Sequence, residues 1–264
     1  MSEFEQKIRQ KLITEQHYYR YLQRYNYLLE SMEKAKIGVK RPYMGPFLEL
    51  AYEKLCFDYT VGEPITSLIP YMENIIQYTN QSLVIVNEDG EKVWQESQVT
   101  IDVYNKMAEK ELLPNLLGLC ILFERTDWLE TIVSAISPID DEITIDVLIA
   151  MKIPDYPITD EKSPGIFSFR RPLLKAILAT TEKETLKHLD DYLNRWYKGM
   201  KRLVGEYIDS HLYQGTDICG FFGYWAFDAA AVAYLKNIDD SSLYKYLYYP
   251  KDMVSYAHSK RDCK

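Results

Sequence analysis

Pro154 and Asp155, followed by Asp160, Glu161 and Lys162, follow the residue order of a PD…(D/E)xK metal-dependent nuclease. That chemistry needs two carboxylates and a lysine converging on one cation, normally presented from strands. Here the residues fall in the stretch 153–172, which holds four prolines and has no convincing strands on either side. A motif carries weight only in its structural context, so these acids read as a solvated loop and no nuclease activity is expected. The four histidines, His17, His188, His211 and His258, form neither HExxH nor another tight metal pair. Each reads as a surface histidine. No GxSxG elbow, Walker loop or GxGxxG stands in the chain. The expectation is therefore no catalytic residue, no metal and no cofactor, although scattered catalytic groups need no motif.

Asp228 is a different case. It is the single charged residue between Ile218 and Leu235, in ICGFFGYWAFDAAAVAYL. Eighteen residues make about five helical turns, and a segment apolar nearly all round belongs in a core. A carboxylate placed there must be paired, hydrogen-bonded or neutralised. Asp228 is expected to be a buried acid, either a structural anchor or part of a site, with Arg170, Arg171 or a tyrosine as its partner. Asp217, Asp239 and Asp240 flank the segment and read as helix-capping acids. Tyr244, Tyr246, Tyr248 and Tyr249 follow at once, before Pro250, Lys251 and Asp252. That last run reads as a turn closing onto the core and starting the final helix.

The elements that position these residues are helices. Tyr18, Leu22, Tyr25, Leu29 and Met32 recur at spacings of 4, 3, 4 and 3, the signature of an amphipathic helix. Gly38, Pro42, Gly45 and Pro46 end it. Leu48, Tyr52, Leu55 and Tyr59 mark a second helix, and Ser67–Ile76 a third with Pro70 in its first turn. Leu83–Val86 is a short β-branched run that predicts at most one minor strand. Helices are predicted at Val99–Leu113, Pro114–Phe123, Trp128–Ile136 and Glu142–Met151. Thr181 with Glu184 forms a capping box ahead of the stripe Leu186, Leu189, Leu193, Trp196 and Met200. The fold class is all-α, a multi-helix bundle or irregular helical array. Two regions are expected, 1–125 and 126–264, packed as one unit.

Composition narrows the partners. The 264 residues are 47% hydrophobic and include 23 tyrosines, and the net charge is −8. A nucleic-acid binder needs a basic footprint that this chain lacks globally. An acidic surface suits a basic partner. Cys56, Cys120, Cys219 and Cys263 are far apart and form no CxxC, a pattern that fits a reducing cytoplasm. No signal-peptide core opens the chain, and no run is read as spanning a membrane. The expected location is cytoplasmic.

Three blocks taken together resemble a known family. GYWAFDAAAVAYL (Gly223–Leu235), IDDSS (Ile238–Ser242) and YYPKDMVSYA (Tyr248–Ala257) have the order and close spacing of the C-terminal signature of PoNi immunity proteins. These proteins neutralise PoNe-type DNase toxins used in bacterial competition. Family members usually carry Glu where Asp228 stands. Residues 1–125 resemble the family's N-terminal helical region through pattern and length. The resemblance implies a non-catalytic protein that inhibits a cognate basic DNase toxin by occluding its DNA-binding cleft. On that reading Asp217, Asp239 and Asp240 are candidate exposed toxin-binding acids, joined by Tyr248 and Tyr249. The alternatives are a helical hydrolase with dispersed carboxylates around Asp228, or a helical adaptor.

Overall fold

Apolar residues spaced by three and four form helices here because each helix can bury the stripe they make. The computed structural model describes residues 2–36, 45–86, 92–94, 112–136, 143–158, 169–213 and 220–262. Among them the regular structure is helical apart from one two-stranded hairpin, so the chain is all-α as the periodicity predicts. It divides into two compact units, Met1–Tyr104 with Glu206–Tyr224, and Asn105–Gly205 with Trp225–Lys264. This division differs in course from the regions 1–125 and 126–264 expected from the sequence: residues 105–125 fall in the second unit and Glu206–Tyr224 in the first.

In the first unit, α1 (Glu3–Lys7) opens with a capping box between Ser2 and Glu5. Helix α2 (Glu15–Lys36) is entered through Thr14. Its hydroxyl accepts the His17 backbone N–H at 3.2 Å, and His17 Nδ1 accepts the Thr14 N–H at 3.2 Å. An imidazole thus takes the place of the usual Glu or Gln in a capping box. Tyr21 stacks on Phe57 of α3 (Gly45–Thr60) at 3.9 Å between centroids. Arg24 and Glu53 pair at 2.6 Å across the same two helices. A 3-10 turn at Ile65–Leu68 leads into α4 (Ile69–Leu83), which packs on α3. Gly62, at φ +88°, sits where a Cβ would lie 2.0 Å from the Lys7 carbonyl oxygen, so only glycine fits. The predicted strand is β1 (Val84–Val86), paired antiparallel with β2 (Lys92–Trp94), which the sequence did not signal.

The returning segment carries a 3-10 helix, Gly205–Leu212. It is tied to the unit through Tyr224. Gln10 brackets that residue, donating to its carbonyl at 2.7 Å and accepting its N–H at 3.0 Å. The Tyr224 hydroxyl meets Ser210 Oγ, the His211 N–H and His211 Nδ1 at 3.2, 3.3 and 3.0 Å.

His17 is 7% exposed, not the surface histidine predicted. Burial, then the nearby Arg20 and His211, hold its pKa below the ordinary value. Burial does the same to His211 against the opposing charge of Asp209. An acceptor role for His17 Nδ1 also requires the neutral ring. Both groups therefore bind protons more weakly folded than unfolded. Their contribution to stability is complete above the unfolded value near 6.5 and is lost as pH falls through the lower folded values. Melting temperature should drop between about pH 7.5 and 5, and His17→Gln, which keeps an acceptor, should flatten the drop. An identical pH profile for variant and wild type would contradict this.

The second unit is built around α5 (Leu112–Leu122) and α10 (Phe227–Lys236), which pack together. Helices α6 (Thr126–Ala135) and α7 (Ile143–Ala150) come next in the chain. Helix α8 (Arg171–Leu178) packs against α9 (Glu182–Val204). Thr181 accepts the Glu184 N–H at 3.3 Å, the predicted cap of α9. Leu189, Leu193, Trp196 and Met200 are buried as the stripe requires. Helix α11 (Lys251–Arg261) packs on α10 and α5.

Candidate interaction surface

The helix predicted over Ile218–Leu235 begins only at Phe227. Gly223, at φ +103°, breaks helical geometry before it. The Ala226 N–H bonds to the Tyr248 carbonyl at 2.9 Å, not to a residue one turn earlier. Asn115 of α5 then caps α10, its Oδ1 accepting from the Phe227 and Asp228 N–H groups at 2.8 and 3.4 Å. Gly118, one turn on, allows this contact. A Cβ there would stand 2.6 Å from the Phe227 carbonyl oxygen.

Asp228 is 1% exposed. Tyr192 of α9 donates its hydroxyl to Asp228 Oδ2 at 2.6 Å, and the Ala229 N–H donates to Oδ1 at 2.7 Å. Arg170, also 1% exposed, supplies a nearby positive charge. Burial raises the Asp228 pKa, and Tyr192, Ala229 and Arg170 oppose that rise. Both oxygens are engaged inside the core, which suits an anchor between α9 and α10.

The surface beside this core lies between α10 and α11. Asn237, in the left-handed conformation at φ +51°, ends α10. Then Tyr244, Tyr246 and Tyr249 each donate a backbone N–H three residues back, to Ser241, Leu243 and Tyr246. Only Ser241–Leu243 of this segment is 3-10 helix. Asp240, Leu243 and Tyr249 are buried and Tyr246 is half-buried, whereas Ser241, Ser242, Tyr244, Lys245 and Leu247 are exposed.

Burial and hydrogen bonding sort the predicted site residues. Asp239 is exposed. Its Oδ1 accepts the Ser241 N–H at 3.1 Å, which holds its pKa below the usual range. Its own N–H donates to Glu182 of α9 at 3.1 Å. Asp240 is not the exposed acid predicted; it is 7% exposed and accepts the hydroxyls of Tyr249 at 2.7 Å and Tyr244 at 3.0 Å. Tyr249 is buried. Tyr248 donates to the Leu193 carbonyl at 2.6 Å and stacks on Trp196 at 4.8 Å. These two tyrosines pack the turn onto α9. Asp217 lies outside the described residues, as do Asp160, Glu161 and Lys162, while Asp155 occupies an exposed turn at φ +65°.

Sequence reasoning named Tyr244 in the tyrosine run but not among the candidate contacts, and it passed over Leu247; the two are 43% and 52% exposed. It also passed over Asp190 of α9, which pairs with Lys245 at 2.6 Å and accepts the Tyr246 hydroxyl at 3.0 Å. Burial, then the charges of Asp240, Asp239 and Asp252, push the Tyr244 phenol up to about 12. Burial, Asp190 and Asp191 act on Tyr246 in the same direction. Acidic groups thus stand close to both phenols.

Among the described residues no three metal-ligating side chains are grouped, and no helix is long and apolar enough to cross a membrane. No curated protein and no solved structure matches the chain. Residues 141–253, which hold α7 to α10 and the whole tyrosine turn, match the family model described as PoNe immunity proteins (PoNi), C-terminal. The match covers 113 of the 264 residues, and over that stretch the chain is similar to the C-terminal region of the PoNi immunity proteins.

Proposed function

We propose that this protein acts in the cytoplasm by binding one basic DNase toxin of the PoNe type and blocking its access to DNA. The match of residues 141–253 to the PoNe immunity family carries the reading. The net charge of −8 supports its electrostatic side. A nuclease cleft must be basic to hold phosphates, and carboxylates presented there take the place of the DNA backbone. The inhibition is steric and electrostatic. It needs no cofactor and no nucleic acid. Opposite charges also speed encounter, which matters in a cell already invaded by toxin.

Of the five candidate contacts, Asp239 and Asp217 keep a direct role in this proposal. Asp240, Tyr248 and Tyr249 support them, because their polar groups are spent within the turn and on α9. Asp239→Asn, alone and with Asp217→Asn, should slow association with the toxin and reduce its salt dependence, leaving dissociation little changed. Binding kinetics at two salt concentrations, beside rescue of toxin-expressing cells, measure this. Unchanged association rates at both salts would remove these acids from the interface.

A further inference from the structure

The turn between α10 and α11 has the anatomy of a preformed binding anchor. Its polar groups are engaged inward: Asp240 by two tyrosines, Tyr246 by Asp190, and Tyr248 by the Leu193 carbonyl. Ser241, Ser242, Tyr244, Lys245 and Leu247 face out, and Tyr244 and Leu247 are the large apolar side chains among them. Two large side chains, 43% and 52% exposed, are thus displayed on a backbone already fixed. A fixed backbone reduces the ordering cost of association.

The surroundings point to the occupant. Asp239, Asp240 and Asp252 act electrostatically on Tyr244, and Asp190 and Asp191 on Tyr246. These five carboxylates are accompanied by three cations, Lys245 on Asp190, Arg195 on Asp191 and Lys251 over the Tyr244 ring, which leaves acids in excess. Lys251 already lies over the Tyr244 ring at 5.4 Å, so the ring face accepts a cation. Aromatic and apolar anchors ringed by acids suit a protein surface rich in Arg and Lys. We propose that Tyr244 and Leu247 form the desolvated centre of the toxin contact, with Asp239 at its rim. This rests on the immunity reading and adds the place at which the toxin is held.

Leu247→Asp and Tyr244→Ala test it, with Ile158→Asp as control, an exposed apolar residue of the same unit at 53% exposure. The probe is the purified, catalytically inactivated DNase domain encoded beside this gene. Each turn variant should weaken binding at least tenfold, mainly through faster dissociation, and the control should bind like wild type. The altered side chains are exposed, so melting should stay close to wild type; if Tyr244→Ala melts early, Leu247→Asp decides. Wild-type affinity in Leu247→Asp would overturn the proposal and leave the immunity reading standing. A changed sedimentation mass with toxin affinity intact would assign these side chains to a second copy of this chain and also overturn it. Failure of the intact protein to bind the domain would overturn both.

Discussion

Replacing Asp228 with alanine is expected to lower stability by about 3 kcal/mol. The acid is buried, with one oxygen held by Tyr192 and the other by the Ala229 N–H. Removing it takes from the Tyr192 hydroxyl the acceptor at 2.6 Å and takes away a negative charge near the buried Arg170. The lost electrostatic attraction in a buried setting is the costlier part, since a single lost neutral hydrogen bond accounts for only about 1 kcal/mol. The expected fall in melting temperature is roughly 6–12 °C for a chain of this size. Asp228→Asn retains the shape and an acceptor and should lose less. A melting temperature unchanged by Asp228→Ala would refute the anchoring role.

Gly118→Val should be comparably damaging. The first atom of any side chain there would meet the Phe227 carbonyl oxygen at 2.6 Å and the Asp228 nitrogen at 2.8 Å. Both are backbone, so relief requires α5 and α10 to move apart. That also stretches the Asn115 cap on α10. Overpacking costs about 1–3 kcal/mol, occasionally more, and this site belongs at the upper end. Gly118→Ala adds helix propensity of up to about 1 kcal/mol, which does not offset the clash. Chemical denaturation should place Ala below wild type and Val below Ala. Equal or higher midpoints for both variants would show that the two helices tolerate separation.

These two positions show what the sequence could and could not reveal. The stripes from Tyr18 to Met32 and from Leu189 to Met200 lie in helices because their periodicity is local and repeated. β1 was legible from its β-branched run, but β2 carried no comparable signal. The apolar stretch from Ile218 misled because composition signals burial without specifying backbone. Gly223 and the Tyr248 carbonyl direct the chain away from helix until Asn115 starts it. The burial of Asp228 was legible, since a lone acid among apolar residues has few alternatives; Tyr192, 36 residues away, was one of many tyrosines. Asp239 and Asp240 looked alike as neighbours. Only the bonds of the folded turn, Asp239 to the Ser241 N–H and Asp240 to the Tyr244 and Tyr249 hydroxyls, set one outward and the other in. His17 read as a surface group because nothing local announces that an imidazole closes a capping box.

Inhibition of the toxin itself tests the central proposal most directly. The active DNase domain encoded beside this gene would be titrated with the purified protein, and plasmid cleavage followed at low and moderate salt. The account predicts loss of cleavage near one equivalent and a stable complex on gel filtration. It also predicts competition between DNA and the protein for the toxin. Full cleavage in the presence of excess protein, with no complex formed, would contradict it.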